Sequence, residues 1–441
     1  MKNNLLLYKK YSHYFLYFFL IMNILFSRSF VGIYIFGFRI GEIIVAISLI
    51  LSLFLLFQKK IIVNQFGKKI YLTYLFLILS TLILMIIKYQ NIFQFYNFKS
   101  SSYIWLTSLL FLNVKFFKIQ KNYLFSINIA LLLIYMFTVF YFPNNLIKFF
   151  SIYSDKFDYL KPSDILLSFV ITLFINNRFL NKFTNFYIEY FFILSALFFP
   201  IFIFKSRGSA VAALVFFLIE VFRFKEIKEF SKKRKTIVLF LSFLIFYISA
   251  SLLTDIKIEE DENILQAEVI SVLFEQKNTS LDDFLSFYII QNIDDLKSFK
   301  ILNNGRIFSS DGNINFRLQI WQDIILDSFS DYKFIIGTGF NEKIPAMNNP
   351  LYMGSDGQNE DVHNFLINIY ARGGLIQFSI FLIFYSLLFK FTKLKILSYD
   401  MVIFSIPVFI VSFFDSSMSS PHFPFIFFLF FNNIFTNIKE S

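Results

Sequence analysis

Apolar runs of about twenty residues follow one another along this 441-residue chain, and they restrict its fold more than any other feature. A helix needs roughly 20 mainly apolar residues to cross a bilayer core of about 30 Å. Hydrophobic residues make up 57% of the chain and charged residues 16%, whereas soluble domains contain about 45–50% and about 25%. We therefore predict an all-α polytopic membrane protein. Disordered, collagen-like and disulfide-stabilised classes are excluded, because there is no cysteine and little Gly or Pro.

Twelve transmembrane helices are predicted from these runs. Their approximate limits are 14–31, 37–57, 70–88, 103–118, 122–142, 163–177, 186–204, 208–224, 236–253, 364–389, 400–414 and 423–436. The chain is thereby divided into three predicted parts. Residues 1–253 hold transmembrane helices 1–9, residues 254–362 form a polar loop domain with short amphipathic helices, and residues 363–441 hold transmembrane helices 10–12.

The distribution of charge predicts the orientation of these helices. Connections rich in Lys and Arg alternate with connections that contain few, and cytoplasmic loops are the basic ones. Residues 255–362 contain nineteen acidic and eight basic side chains, so they carry −11 and leave +22 on the rest of a chain whose net charge is +11. Both termini are therefore expected in the cytoplasm and the acidic segment outside. The basic run 228–235 is typical of a cluster that contacts anionic membrane lipids, and nucleic acid is not an expected partner.

The outward segment contains several short motifs. Residues 262–277 and 281–299 are predicted to form amphipathic helices, and residues 303–306 a turn. The run 316–323 is predicted to be a helix that carries Arg317 and Trp321 on one face, because they are one turn apart. Further along, the glycines of the run 337–339 allow a tight backbone path, although Gly-x-Gly alone is weak support for a phosphate loop.

His363 and Asn364 lie where the chain returns to the membrane. Asp361 is expected to cap the helix, which would place His363 and Asn364 in its first turn at the outer boundary. Gly373 and Gly374 follow about two and a half turns deeper, where small residues let another helix approach. The other two histidines are expected in the cytoplasm and in the last outward loop, so His363 is the preferred functional histidine.

Lys205 and Arg207 lie in a very short connection between two predicted spans, Lys205-Ser206-Arg207-Gly208-Ser209. Contact with lipid headgroups alone would explain two cations at such a place. The topology nevertheless assigns Arg207 to the same outer side as Arg317 and His363. That coincidence favours a functional role.

Arginine and histidine are suited to chemistry on a lipid diphosphate. Arginine forms bidentate, charge-assisted hydrogen bonds with phosphate, and it can stabilise the charge that develops on a leaving diphosphate. A neutral histidine can accept a proton from a sugar hydroxyl. No metal site is expected, because the chain has no cysteine and no pair of histidines at ligand spacing.

Together, these motifs resemble the O-antigen ligase and polymerase superfamily of bacterial envelope glycan biosynthesis. The resemblance covers roughly residues 190–430 and includes the single large outward loop between the ninth and tenth spans. The matching motifs, in order, are Ser206-Arg207-Gly208, Arg317-x-x-x-Trp321, Gly337-x-Gly339 and His363-Asn364 followed by Gly373-Gly374.

This resemblance implies a GT-C-type glycosyltransferase of the bacterial inner membrane that is inverting, independent of metal and without a cofactor. The donor would be an undecaprenyl-diphosphate-linked glycan, and the large loop would be periplasmic. The implied catalytic residues are His363, Arg317 and Arg207. The residues expected to bind substrate are Arg306, Trp321, Asn364 and Lys205. His363 would act either as the base or as a group that orients the acceptor.

Three functions remain open at this point. A ligase would transfer the finished glycan to lipid A-core, and a polymerase would join lipid-linked repeat units. A single large outward loop favours the ligase. A lipid-linked glycan flippase or transporter would need charged or broken-helix positions at mid-membrane depth. The acidic residues within spans lie near the span ends, which disfavours transport; they are Glu42, Glu189 and Glu220.

Overall fold

A computed structural model describes most of the chain. The described residues are 2–57, 65–88, 106–108, 123–155, 157, 160–180, 186–224, 234–253, 299–301, 306–309, 312–330, 333–340, 343–349, 352, 362–396 and 400–428. They fold into two compact units. The first comprises Met1–Ile78, Ser102–Thr254 and Leu382–Ser441, and the second comprises Leu79–Ser101 and Asp255–Phe381.

Helices form most of the described structure. In chain order they are α1 (Lys2–Val31), α2 (Ile40–Phe57), α3 (Gln65–Lys88), α4 (Tyr123–Val139), α5 (Asn144–Tyr153), α6 (Pro162–Leu180), α7 (Phe186–Lys205), α8 (Arg207–Phe224), α9 (Arg234–Leu253), α10 (Gly312–Ser330), α11 (Lys333–Ile336), α12 (Phe365–Ile396), α13 (Asp400–Ser412) and α14 (residues 422–428). Two antiparallel pairs of short strands accompany them, β1 (Tyr34–Ile35) with β2 (Phe38–Arg39) and β3 (Phe299–Ile301) with β4 (Ile307–Ser309).

Several helices have the length and apolarity needed to cross a bilayer. Within the described residues four qualify, namely Lys68–Ile86, Phe186–Lys205, Arg234–Leu253 and Phe365–Lys390, and a fifth is added if the bent pair α4 and α5 is one span. Shorter apolar helices occupy Tyr17–Val31, Ile40–Phe54, Pro162–Asn177 and Val402–Ser412. The chain is therefore a predominantly helical protein with membrane-capable helices. The count of twelve stays a prediction, and most of the predicted spans 103–118 and 423–436 lies outside the described residues.

The first unit brings together connections that the charge distribution assigns to the same side of the membrane. Arg28 near the end of α1 forms ion pairs with Asp164 in the first turn of α6 and with Asp415 after α13. Helix α8 packs against α7 and α13 in the same unit. These contacts place three predicted outward connections at one end of the unit.

The second unit is built around α10. Its apolar face, with Ile320 and Ile324, packs on a buried cluster that also contains Ile344, Met347 and Val362. The helix predicted over residues 316–323 is thus confirmed and is longer than expected. Strands β3 and β4 are antiparallel, and the turn predicted over residues 303–306 lies outside the described residues, apart from residue 306. The helices predicted over 262–277 and 281–299 lie outside the described residues, apart from residue 299, which begins β3.

The start of α12 differs from the sequence-based expectation. The Oδ1 atom of Asn364 accepts hydrogen bonds from the backbone N–H groups of Leu366 and Ile367, both at 3.0 Å. Asn364 is therefore the N-cap, and His363 lies before the helix. The expectation that Asp361 caps the helix and places His363 in its first turn is wrong, because the carboxamide three residues later is the group that reaches the free amides.

Candidate functional site

The seven sequence-predicted site residues are divided between the two units. Lys205 and Arg207 belong to the first unit. The other five belong to the second unit, and they are Arg306, Arg317, Trp321, His363 and Asn364.

His363 lies in an unusual backbone conformation. Its φ angle is +54°, in the left-handed region that residues with a Cβ rarely adopt. Such a conformation costs of the order of 1–3 kcal/mol and persists only where neighbouring contacts impose it. Here the indole N–H of Trp321 donates to the carbonyl of Val362 at 2.8 Å, and Asn364 caps the helix on the other side. The backbone on both sides of His363 is therefore fixed.

The imidazole of His363 is half-buried beside α10. Its ring lies 6.2 Å from the ring of Phe316, at an interplanar angle of 59°. The ring of Phe316 also meets that of Tyr352, at 5.9 Å. Arg317 follows Phe316 on the same helix and is likewise half-buried. The structure thus brings His363, Trp321 and the part of α10 that carries Arg317 together.

Arg306 is engaged by an acidic neighbour. Its guanidinium forms an ion pair with Asp323 of α10, and the hydroxyl of Tyr352 donates to the other carboxylate oxygen of Asp323. Burial, and then the hydrogen bond to this carboxylate, raise the pKa of the Tyr352 hydroxyl above its ordinary value. The side chain of Tyr352 therefore stays protonated as a donor. Because Asp323 offsets the charge of Arg306, this arginine offers a phosphate less attraction than its sequence position suggests.

A break in α12 lies next to the Gly-x-Gly turn. At Gly374 the backbone adopts φ +61° and ψ −167°, so the helix is interrupted. The preceding carbonyls accept other donors, since the N–H of Thr338 bonds to Ala371 and the N–H of Gly339 to Arg372, both at 2.9 Å. The tight path expected for residues 337–339 is confirmed, with positive φ at both glycines.

The close approach expected at Gly374 is also confirmed. A Cβ there would overlap the carbonyl of Ile335, at the end of α11. Transporters commonly use broken helices whose freed backbone groups line a cavity. Here the carbonyls before the break are bonded to residues 338 and 339 of the same unit. This break is therefore filled by protein and does not favour the transport alternative.

Lys205 and Arg207 mark a sharp helical hairpin. Helix α7 ends at Lys205 and α8 begins at Arg207, as the very short connection predicts. Both side chains are exposed, and the Nζ of Lys205 donates to the carbonyl of Thr138 at 3.3 Å. A Cβ at position 208 would come within 2.7 Å of the Cβ of Phe414. The glycine after Arg207 is therefore explained by the close passage of Phe414.

Sequence reasoning did not find a buried polar network in the first unit. Nε of Arg28 bonds to Asp164 at 2.9 Å and its Nη2 to Asp415 at 2.9 Å. Ser163 also donates to Asp415, and Nε2 of His422 lies 3.1 Å from Asp164. The sequence does show arginine and aspartate at the ends of apolar segments, and this was the pattern from which such a network could have been suspected. Their pairing could not be anticipated, because Arg28 and Asp164 are 136 residues apart in the chain.

In the part of the chain that the structure describes, no group of three or more His, Cys, Asp or Glu side chains could hold a metal ion.

Arg372 is a further residue that the sequence did not single out. It is buried, and its guanidinium lies 3.4 Å from the carbonyl of Gly339.

These observations describe a helical membrane protein with a half-buried histidine and an arginine-bearing helix in its polar unit. Residues 190–382 match the family model described as O-antigen ligase. This match supports the resemblance to the O-antigen ligase and polymerase superfamily that the motifs indicated. Members of this family are ligases and polymerases, so the activity implied is of the glycosyltransferase type. A comparison with curated proteins finds no match.

Proposed function

We propose that this protein is an O-antigen ligase that transfers a glycan from a lipid diphosphate to a hydroxyl of lipid A-core. The observation that carries the proposal is the O-antigen ligase domain over residues 190–382. All three proposed catalytic residues, Arg207, Arg317 and His363, fall inside it. The backbone of His363, fixed just before a membrane-capable helix begins, supports chemistry at a membrane surface.

The proposed reaction is an inverting displacement at the anomeric carbon. The acceptor oxygen attacks this carbon, the bond to the diphosphate oxygen breaks, and its electron pair leaves with the lipid diphosphate. His363 takes the proton from the acceptor hydroxyl or orients that hydroxyl. Arg317 and Arg207 stabilise the negative charge that develops on the leaving group. No step requires a metal ion or a cofactor.

The remaining site residues support this chemistry in different ways. The indole N–H of Trp321 donates to the carbonyl of Val362, so only the ring of Trp321 is available for contact with a sugar. Asn364 is buried and its Oδ1 is committed to the helix cap, which makes it a positioning group beside the substrate. Lys205 and Arg306 are proposed as phosphate or sugar contacts, with Arg306 weakened by Asp323.

The donor is proposed to be an undecaprenyl-diphosphate-linked glycan, and the location the bacterial inner membrane with a periplasmic polar domain and cytoplasmic termini. The chain has no cysteine, so Ser310→Cys would provide a single labelling site. An impermeant thiol reagent should label it from outside the inner membrane. Labelling only after permeabilisation would invert the proposed orientation.

Reconstitution with two acceptors tests the reaction. The full-length protein in liposomes should join a lipid-diphosphate glycan to lipid A-core, and chelator should leave the rate unchanged. Extension of a second lipid-linked glycan instead would identify the polymerase, which is the alternative within the same family. Loss of activity in chelator would contradict the metal-independent mechanism.

A further inference from the structure

Helix α5 turns sharply away from the helix that precedes it. The axes of α4 and α5 differ by 96°, with a break of four residues between them. A 17-residue helix such as α4 is about 25 Å long, nearly the thickness of a bilayer core. If α4 crosses the bilayer, α5 must run almost parallel to the membrane plane at the end of the crossing.

The side chains of α5 are sorted into three faces around its axis. Phe150 faces the protein and is 1% exposed. Phe149, Ile152 and Tyr153 are apolar and exposed, and Ile152 is 72% exposed. The one polar side chain among them is that of the exposed Asn145, in the first turn of α5. The third face is polar and exposed, with Asn144, Lys148 and Ser151. At 100° per residue the polar face spans about 60° and adjoins the exposed apolar face.

Contacts in the second half of α5 and just after its end fix how the helix is rotated. The ring of Phe150 is packed against that of Phe26 of α1, with centroids 5.0 Å apart. Beyond the helix, the hydroxyl of Ser154 donates to the carbonyl of Ser29 at 2.8 Å, and Asp155 pairs with Arg39 of β2. Helix α5 therefore cannot turn its exposed apolar face inward without breaking these contacts.

The exposed apolar face of α5 has further exposed aromatic side chains near it in the same unit. Phe140 and Tyr141 are exposed where α4 ends. The β1–β2 hairpin, which is joined to α5 through Asp155, carries Phe36 at its tip with 98% of its surface exposed. In water this exposure would be unfavourable, at roughly 25 cal/mol for each Å² of apolar area.

We propose that α5 is an interfacial helix that lies in the outer boundary of the bilayer. Phe149, Ile152 and Tyr153 contact lipid acyl chains, and the polar face with Lys148 contacts headgroup phosphates and water. A helix with adjoining apolar and polar faces lies in the interface with its apolar face about 5–10 Å below the headgroups. A lipid surface is a better match for this face than a protein partner, because α4, from which α5 turns, is itself predicted to be in the membrane.

Spin labels on adjacent residues would test this placement. Ile152→Cys and its neighbour Ser151→Cys are each introduced into the full-length protein, which has no native cysteine, and reconstituted in phosphatidylethanolamine–phosphatidylglycerol liposomes. The label at 152 should be relaxed mainly by oxygen, which concentrates in lipid. The label at 151 should be relaxed mainly by a water-soluble nickel chelate. Phe149→Cys and Lys148→Cys repeat the comparison one turn earlier.

Two results would overturn the proposal. Strong relaxation of both members of a pair by the nickel chelate would mean that α5 is in water. Weak relaxation at 149 and 152 by both reagents would mean that protein covers this face. Because all four side chains are exposed, labels at these sites should not disturb folding, and unchanged thermal stability in detergent verifies it.

Discussion

Two histidines, one in each unit, show how differently this protein uses the same side chain. His422 in the first unit is fully buried, and its Nε2 lies within hydrogen-bond distance of Asp164 in a network that includes Arg28 and Asp415. His363 in the second unit is half-buried, has a left-handed backbone and lies beside an aromatic ring. Burial among paired charges favours a structural role. Partial exposure on a held, strained backbone favours chemistry.

The two units also satisfy their buried polar groups differently. The first unit pairs charged side chains that come from distant helices. Around the Gly374 break, the second unit pairs backbone amides with backbone carbonyls. Removing one charge of a buried ion pair destabilises the fold, because the other charge stays buried without its partner. Backbone hydrogen bonds are lost instead when an added side chain keeps the two backbone segments apart. Substitutions can therefore test the two units separately.

The largest effect on activity without a loss of stability is expected from His363→Asn. Asparagine tolerates positive φ better than most residues, so the backbone should be kept while the imidazole is lost. We expect glycan transfer to fall at least about 100-fold with unchanged thermal stability. The matched control is His422→Asn, which should lower thermal stability but leave transfer per folded molecule near wild type. The reverse pattern would exchange the roles assigned to the two histidines.

The largest effect on stability is expected from Asp164→Asn. Arg28 and His422 would lose a buried carboxylate partner, and breaking a buried ion pair costs about 3 kcal/mol or more. The unfolding temperature in detergent should drop clearly. Asp155→Asn removes a more exposed partner of Arg39, worth about 1 kcal/mol or less, and serves as the control. Equal effects of the two substitutions would show that burial does not set the strength of these pairs.

Two glycines with positive φ allow a comparison of backbone packing. Gly374→Ala would place a Cβ onto the carbonyl of Ile335, whereas a Cβ at Gly37 meets no atom within 4 Å. Both substitutions force alanine to a positive φ, which costs of the order of 1–3 kcal/mol, and the conformation at Gly374 is one that essentially only glycine adopts. Only Gly374→Ala adds a steric clash, so its unfolding temperature should fall further. Equal losses would mean that the approach of α11 to α12 contributes little.

The smallest effect is expected from removing single hydrogen bonds in the second unit. Trp321→Phe removes the bond to the Val362 carbonyl, and Thr338→Val removes the hydroxyl bond to the Ala371 carbonyl at 2.9 Å. Each should cost about 1 kcal/mol of stability. Only Trp321→Phe should also slow transfer several-fold, because it loosens the backbone before His363. A similar loss of transfer in both variants would indicate a general effect of stability.

Local features were predictable from the sequence and long-range ones were not. Helical periodicity correctly placed Arg317 and Trp321 on one helix, and the glycines around Thr338 indicated a tight turn. The carbonyls that bind this turn are 33 residues away, so their identity was not encoded in the local pattern. The helix cap was misassigned because Asp361 and Asn364 are both good N-caps and only three residues apart.

The network of the first unit was missed for a related reason. Arg28, Asp164 and Asp415 each lie at the end of a different apolar segment, and any one of them alone is consistent with contact to headgroups. Only the packing of α1, α6 and the segment after α13 reveals that they pair. Position along the chain indicated His363 as the functional histidine, but it could not reveal that His422 is buried.

The central claim is that arginines and His363 drive transfer from a lipid diphosphate. It is tested most directly by measuring release of the lipid diphosphate, coupled to glycan transfer, in liposomes that contain Arg317→Ala, Arg207→Ala or the wild-type chain. Both variants should insert and fold normally, and both should lose at least about 100-fold in rate, because transition-state charge is left unstabilised. Near-normal transfer by both variants would contradict the account.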